Sequence, residues 1–363
     1  MSELDIASEA LAEAISPNSE PSGTDANHRL WVADEHPLST NLLKKLAEQK
    51  IYLTSNRIDQ VEHAQKAGIN AFFSDFDLQH PEHNSDHAQL WNSIYFRVAK
   101  EKSVVHHVIN SATNNLAPKG NLWLAGHKKE GTKTYLSKAE DKFGCKAHVK
   151  RGKDQLFVGH LSLFNQGADL PDKNYSDLRL VEMSGSNYWS KPGLFGWNKV
   201  DSGSEFLIET LKSLNLDLTK SRVLDLGCGY GYLAQNVAKL GIERLVATDN
   251  CAAAIQACKK NLEDFALTEC EVIAASCADK VEGQFDLILC NPPFHSGFST
   301  NSELHHDFLT AIRSKLKPDG QALVVVNQFL RLQDLCERNQ LHILDRYRDN
   351  QRHFDLYRLS ISR

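Results

Sequence analysis

The chain has 363 residues, 41% of them hydrophobic and 24% charged, with a net charge of −5. This composition can bury real cores and excludes a wholly disordered chain, and at about 150 residues per domain it suggests two domains. No stretch of about 18 apolar residues is present to cross a membrane. The start, MSELDIASEALAEA, lacks the basic and apolar regions of a secretory signal. Eight cysteines show neither a CxxC pair nor a Cys/His zinc spacing, which points to reduced thiols in a cytoplasmic protein without a structural metal.

Charge is unevenly placed. Residues 1–100 carry 8 Lys/Arg against 15 Asp/Glu, whereas residues 119–153 carry 10 against 3. A basic stripe in an acidic protein is a candidate phosphate-contacting surface, with a solvated face as the plainer alternative.

In chain order, residues 1–27 hold six acids and no Lys or Arg. They are expected to be a flexible tail, although Leu4, Leu11 and Ile15 could line a short helix. From Leu30 the segments LWVAD, IYLTS, NAFFSDF, SIYFRVA and NLWLAGH read as strands. They alternate with helical stretches such as NLLKKLAEQK and VVHHVINSATNNL. This alternation predicts a parallel sheet with helices on both faces. The grammar returns after Ser221: RVLDLG, RLVATDN, CEVIAAS, FDLILCN and QALVVVN are strands with helices between them. VHHVINSATNNLAPKGNLWLAG matches HHDFLTAIRSKLKPDGQALVVVN, with Gly120 and Gly320 in register, so the unit is duplicated. Boundaries are expected at 28–160 for the first copy, 161–185 for a linker and 186–363 for the second copy.

Two constellations carry chemistry. In VLDLGCGYG, Gly227, Gly229 and Gly231 follow a buried strand and precede a helix, where glycine permits sharp turning and close ligand approach. Asp225 precedes them, and Asp249 ends the next strand, where a carboxylate can accept from a ribose diol. The second constellation is Asn291, Pro292, Pro293 and Phe294 at the end of FDLILC. Asn291 and the Pro292 carbonyl offer acceptors to an exocyclic amine, and Phe294 offers a stacking face. Arg346, Arg348, Arg352 and Arg358 near the C-terminus are interleaved with Asp345, Asp349 and Asp355, which points to surface ion pairs.

VLDLGCGYG, ATDN and NPPF in this order resemble a class I S-adenosylmethionine-dependent amino-methyltransferase. Adding KPGLFGWNKVDSGSEFLIETL, NPPFHSG and the upstream copy, the chain is similar to the bacterial 16S rRNA guanine-N2 methyltransferases of the RsmC type. The resemblance implies two tandem Rossmann-like class I methyltransferase domains, the first degenerate. It implies methylation of N2 of a guanine, position 1207 of 16S rRNA, in the small (30S) ribosomal subunit by a cytoplasmic monomer. S-adenosylmethionine would bind Asp225, Gly227, Gly229, Gly231 and Asp249. Asn291, Pro292, Pro293 and Phe294 would hold the guanine, with Phe195, Asp201 and Gly203 over the site. No metal is implied.

The sequence departs from this pattern in places. Ala275, Ser276 and Cys277 stand where similar enzymes carry a polar residue near the adenine, and Asp355 stands where a basic residue is common. The first copy has EHPLS in place of the Gly-rich loop and RVAKE in place of NPPF. It keeps RNA docking, through lysines such as Lys128, Lys129 and Lys133, or scaffolding as its roles. Another rRNA guanine, or an inactive ribosome-assembly protein that binds RNA, remain the alternatives.

Overall fold

The computed structural model describes residues 5–15, 28–81, 90–293 and 301–361, the side chains of 301–304 excepted. The chain divides into two compact units, Met1–Asp177 and Leu178–Arg363.

The first unit comprises α1 (Ile6–Glu13), β1 (Arg29–Ala33), α2 (Thr40–Glu48), β2 (Tyr52–Ser55), α3 (Ile58–Lys66), β3 (Ala71–Phe73), β4 (Trp91–Arg97), α4 (Lys102–Asn115), β5 (Leu116–His127), α5 (Thr132–Phe143), β6 (His148–Arg151) and β7 (Leu156–Ser162). Its seven strands are ordered β3-β2-β1-β4-β5-β7-β6. β1 to β5 pair in parallel, and β7 and β6 add antiparallel at one edge. β1 is buried along its whole length, as a parallel strand covered on both faces must be.

The second unit starts with a two-stranded hairpin of β8 (Arg179–Met183) and β9 (Ser186–Ser190). There follow α6 (Ser202–Ser213), β10 (Arg222–Leu226), α7 (Tyr232–Ala238), β11 (Arg244–Asp249), α8 (Ala252–Leu262), β12 (Glu269–Ala274), β13 (Phe285–Cys290), α9 (Asn301–Lys315), β14 (Leu316–Asn327), α10 (Leu332–Arg338), β15 (Leu341–Asp349) and β16 (Phe354–Ile361). The sheet order, β12-β11-β10-β13-β14-β16-β15, repeats the first unit's order strand for strand. Alternate residues of β10 serve opposite faces: Leu224 and Leu226 join one core, Val223 the other.

The duplication extends to detail. Trp91 pairs with Leu116 and Phe285 with Leu316, each followed by a register shift. An added Cβ on Gly120 would lie 3.1 Å from the Trp91 carbonyl oxygen, and on Gly320 2.7 Å from that of Phe285. The two glycines fill the same slot, where a side chain would collide with the neighbouring strand.

Two boundaries differ from the sequence expectation. Residues 5–15 are no flexible tail. Asp5 caps α1 by accepting from Ser8 N at 2.9 Å, and Ala7, Leu11, Ala12 and Ile15 are buried in the core that contains Trp31 and Leu43. The rest of that stretch, 16–27, lies outside the described residues. Nor is 161–185 a free linker. Leu161 and Tyr175 are buried in the first unit's core, and Asn110 binds both Leu170 N and Leu170 O. Between the end of β7 and Asp177, apolar residues spaced through a polar segment strap it down without forming a strand. The change of unit falls after Asp177, ahead of the hairpin.

Candidate active site

The site lies where the strand order reverses. β10 is flanked by β11 on one side and β13 on the other, both parallel, so their C-terminal ends open a crevice at the switch point. The Gly-rich loop leaves β10 there. Gly227 N and Cys228 N both donate to the Thr248 carbonyl at 2.9 Å, which pins the loop to the end of β11. Gly227, Gly229 and Gly231 have φ of +81°, +53° and +91°, a region that disfavours side chains.

The glycines differ in what surrounds them. A Cβ on Gly231 would lie 2.9 Å from Cys258 Sγ, so this glycine admits α8. A Cβ on Gly229 would meet nothing within 4 Å, so its open face is available to a ligand. Gly229 N donates to Asp249 Oδ2 at 2.9 Å, and Cys251 N donates to Asp249 Oδ1 at 2.9 Å. These two bonds fix the carboxylate and leave lone pairs on both oxygens for a diol.

Asp225 sits beneath the loop. It is fully buried, and its Oδ2 accepts from Ala234 N at 2.8 Å in the first turn of α7. Burial, with the charge of Asp249 added, pushes its pKa up to about 7 against the Ala234 hydrogen bond. Its Oδ1 is buried without a protein partner, an orphan that a donor from a bound ligand would satisfy. The open face of Gly229, the Asp249 carboxylate and this oxygen form a donor-poor, acceptor-rich cradle, which suits a cationic, diol-bearing cofactor.

Asn291 follows β13 on the other side of the crevice. Its Nδ2 donates to Asp201 Oδ2 at 2.7 Å and to Ser204 Oγ at 2.8 Å. A carboxylate oxygen cannot donate, so the amide nitrogen faces Asp201 and the amide oxygen is kept for another donor. Asp201 is the N-cap of α6 and also accepts from Ser204 N at 2.9 Å. Gly203 allows this helix start to approach: a Cβ there would lie 3.0 Å from the Phe354 ring and 3.2 Å from Asp201 Oδ2. Pro292 is buried and Pro293 exposed, while Phe294 lies outside the described residues. Phe195, 62% exposed, lies in the turn that leads to Asp201.

Cys290, next to Asn291, is fully buried, and burial holds its thiol well above the ordinary range. The Cys228 thiol is raised by its hydrogen bond with Cys258 and by burial. Neither side chain is a ready thiolate. Near the expected adenine position, Ala275 N donates to the Asp249 carbonyl at 3.0 Å and Ser276 N to Asp279 Oδ1 at 3.0 Å.

The first unit has the same frame with other contents. Arg97 ends β4 as Asn291 follows β13, and the α1 N-cap Asp5 corresponds to Asp201. Arg97 donates to Asp5 Oδ2 at 3.1 Å and, through two nitrogens, to Glu130 at 2.8 and 3.0 Å. A guanidinium has no acceptor to offer an amine. Lys128, Lys129 and Lys133 are exposed beyond the end of β5 and have no ion-pair partner among the described residues. Lys142, by contrast, is buried and held by Asp169 at 2.6 Å, so it does not belong to the basic surface.

The sequence reading misses Ser204, Asn261 and the Asp5–Arg97 pair. Asn261 on α8 is buried; it accepts from Trp189 N at 2.7 Å and donates to Trp189 O at 2.8 Å and Tyr230 O at 2.7 Å. It thereby joins the β8–β9 hairpin to the Gly-rich loop. A signal for the Asp5 cap is present in the sequence: DIASEALAE at Asp5 and DSGSEFLIE at Asp201 share Asp, Ser-Glu, Leu and Glu at the same spacing.

Residues 186–352 match the methyltransferase small domain family. The match takes in most of the second unit, which has the fold of a class I methyltransferase domain. Over both units the chain resembles the RsmC-type methyltransferases. It is 28% identical to the ribosomal RNA small subunit methyltransferase C of Marinomonas sp. (strain MWYL1), over 69% of this chain and 71% of that one. The protein of the same name from Shewanella loihica is 26% identical over 82% of this chain and 84% of its own. The structure described as T. thermophilus 16S rRNA N2 G1207 methyltransferase (RsmC), in complex with AdoMet and guanosine, superposes with a TM-score of 0.78. The match covers 100% of this chain and 93% of that one at 22% identity, so the two share the tandem fold. The cofactor of this enzyme class is S-adenosylmethionine, and the cradle of Gly229, Asp249 and Asp225 fits it.

Proposed function

We propose that the chain transfers a methyl group from S-adenosylmethionine to the exocyclic N2 of a guanine in 16S rRNA, at position 1207, within the small ribosomal subunit. The observation that carries this reading is the side chain of Asn291. Both hydrogens of its amide are taken by Asp201 and Ser204, so its oxygen is presented as an acceptor at the open end of β13. The names of the relatives, and of the solved structure that shares the tandem fold, support the choice of substrate. The protein would work as a cytoplasmic monomer; among the described residues no helix is long and apolar enough to cross a membrane.

Guanine N2 has two N–H groups and a lone pair delocalised into the ring. Asn291 Oδ1 and the Pro292 carbonyl accept those hydrogens and hold the nitrogen as it becomes pyramidal, an interaction strongest in the transition state. The bound cofactor supplies an electrophilic methyl carbon. The donor sulfonium would leave as a neutral thioether, keeping the S–C bonding electrons as the N–C bond forms, and the cationic nitrogen would lose its proton to water. Asp225 and Asp249 hold the cofactor end, and Asp201 with Ser204 hold Asn291. Phe294 is assigned to stack on the base, which must be unstacked to reach the crevice. The exposed Lys128, Lys129 and Lys133 would meet phosphate.

The test is incubation of purified small subunits lacking this methyl group with labelled cofactor, followed by mapping of the modified base. Label on N2 of guanine 1207 is the expected result. Incorporation elsewhere, or none, overturns the assignment.

A further inference from the structure

A second element meets the crevice from the end of β14. In the parallel pairing of β13 and β14, Cys290 stands opposite Val324, the last pair of that ladder, so Asn291 leaves β13 at the same end of the sheet at which β14 ends in Asn327. Neighbouring strands lie about 4.8 Å apart. Phe329 follows two residues beyond Asn327, at the end of the sheet where the crevice opens, and is 91% exposed.

Its backbone is held firmly. Phe329 N donates to Asn327 Oδ1 at 3.1 Å, and Leu330 N to the Asn327 carbonyl at 2.9 Å. Gln328 N donates to the His353 carbonyl at 3.0 Å, and Gln328 Nε2 to that of Asp349 at 3.1 Å. Leu330 packs against the core beneath. A stiff turn thus presents a phenyl ring to water.

Arg331, two residues on, is exposed and has no ion-pair partner among the described residues. The arginines of the neighbouring hairpin are committed: Arg346 and Arg348 share Asp355, Arg352 binds Glu209, and Arg358 binds Asp345. An uncommitted guanidinium beside an uncovered ring matches the two parts of a nucleotide, a charged phosphate and a planar base.

We propose that Phe329 and Arg331 form a subsite for the nucleotide adjoining the methylated base, the ring stacking on its base and the guanidinium meeting its phosphate. This rests on the RNA-methylation reading above. The subsite is built for an unpaired strand, because the face of a base is accessible only when it is unstacked.

The experiment compares wild type, Phe329→Ala, Phe329→Trp and Arg331→Gln in methylation of small subunits over a range of subunit and salt concentrations. Phe329→Ala should raise KM for the subunit about tenfold, more than it lowers kcat. Phe329→Trp should restore KM, and its extra fluorescence, taken against wild type, should be quenched on addition of 16S rRNA. Arg331→Gln should reduce the salt slope of binding by about one. An unchanged KM for Phe329→Ala, or an unchanged slope for Arg331→Gln, overturns the subsite. If wild type methylates no guanine, the functional reading fails instead. The extra fluorescence of the Phe329→Trp variant then decides the subsite by itself: quenching sustains it and none removes it. Calorimetric binding of S-adenosylmethionine verifies that each variant is folded.

Discussion

The amide nitrogen of Asn291 lies 2.7 Å from the Asp201 carboxylate, 90 residues earlier in the chain. This bond decides which end of the amide faces the crevice. Asp201→Ala should therefore lower methyl-transfer kcat by at least about tenfold while the calorimetric affinity for S-adenosylmethionine changes little. Asp201→Asn keeps an acceptor oxygen and should recover most of the loss. Equal turnover in the Ala and Asn variants would show that the bond does not orient Asn291. Loss of the α6 cap should cost Asp201→Ala about 1 kcal/mol in stability as well.

Asp249 accepts from two backbone N–H groups and retains capacity for a diol. Asp249→Ala should weaken cofactor binding by about 1–3 kcal/mol, since donors on both partners lose their acceptor. A calorimetric affinity equal to wild type would remove Asp249 from the cofactor site.

Gly229 and Gly231 separate binding from folding. Gly231→Ala pushes a methyl group to 2.9 Å from Cys258 Sγ at a φ of +91°, and should lower the melting temperature clearly. Gly229→Ala adds its methyl to open space at a φ of +53°, so its stability cost should stay near 1 kcal/mol while cofactor affinity collapses. The reverse order of effects in thermal melts and calorimetry contradicts the placement of the cofactor over Gly229.

Arg97, whose side chain is 4% exposed, ties Asp5 and Glu130 together. Burial alone would raise both acids, but hydrogen bonds from Arg97, with those of Ser8 on Asp5 and of the His127 backbone on Glu130, hold both below their ordinary values. Depressed carboxyl pKa values stabilise the fold at neutral pH, and this stabilisation is lost as pH falls through the folded-state values. Loss should begin below about 4.5 and 3.8, the ordinary values of Glu and Asp. Melts of wild type should fall in this window more steeply than those of Glu130→Gln. Arg97→Ala should cost about 3 kcal/mol at pH 7.

Much of this is legible in the sequence, for physical reasons. Two buried strands with a Gly-rich turn between a strand and a helix leave few topologies, and the APKG and KPDG stops set the register of the duplication. What escapes is tertiary. α1 is too short and acidic to read as more than a tail, because its stability comes from burial of Leu11 and Ile15 and from the reach of Arg97 to Asp5. Lys142 looks like part of a basic surface, and only the fold brings Asp169 to it. The role of Ser204 depends on a contact with Asn291 across 87 residues of chain, which no local pattern encodes. The interleaved aspartates of the last hairpin do announce ion pairs, and Arg346, Arg348, Arg352 and Arg358 all make them.

Asn261 holds the backbone of Trp189 on one side and that of Tyr230 on the other. A ligand that quiets the Gly-rich loop must therefore also reduce opening of the hairpin, and by thermodynamic reciprocity a partner that orders the hairpin must tighten the loop by the same free energy. Amide exchange at Trp189 should slow when S-adenosylmethionine is added, and Asn261→Ala should diminish the slowing. A protein built in this way reports the state of its methyl-donor site to a surface element through Asn261 and the edge-on packing of Tyr188 against Tyr230.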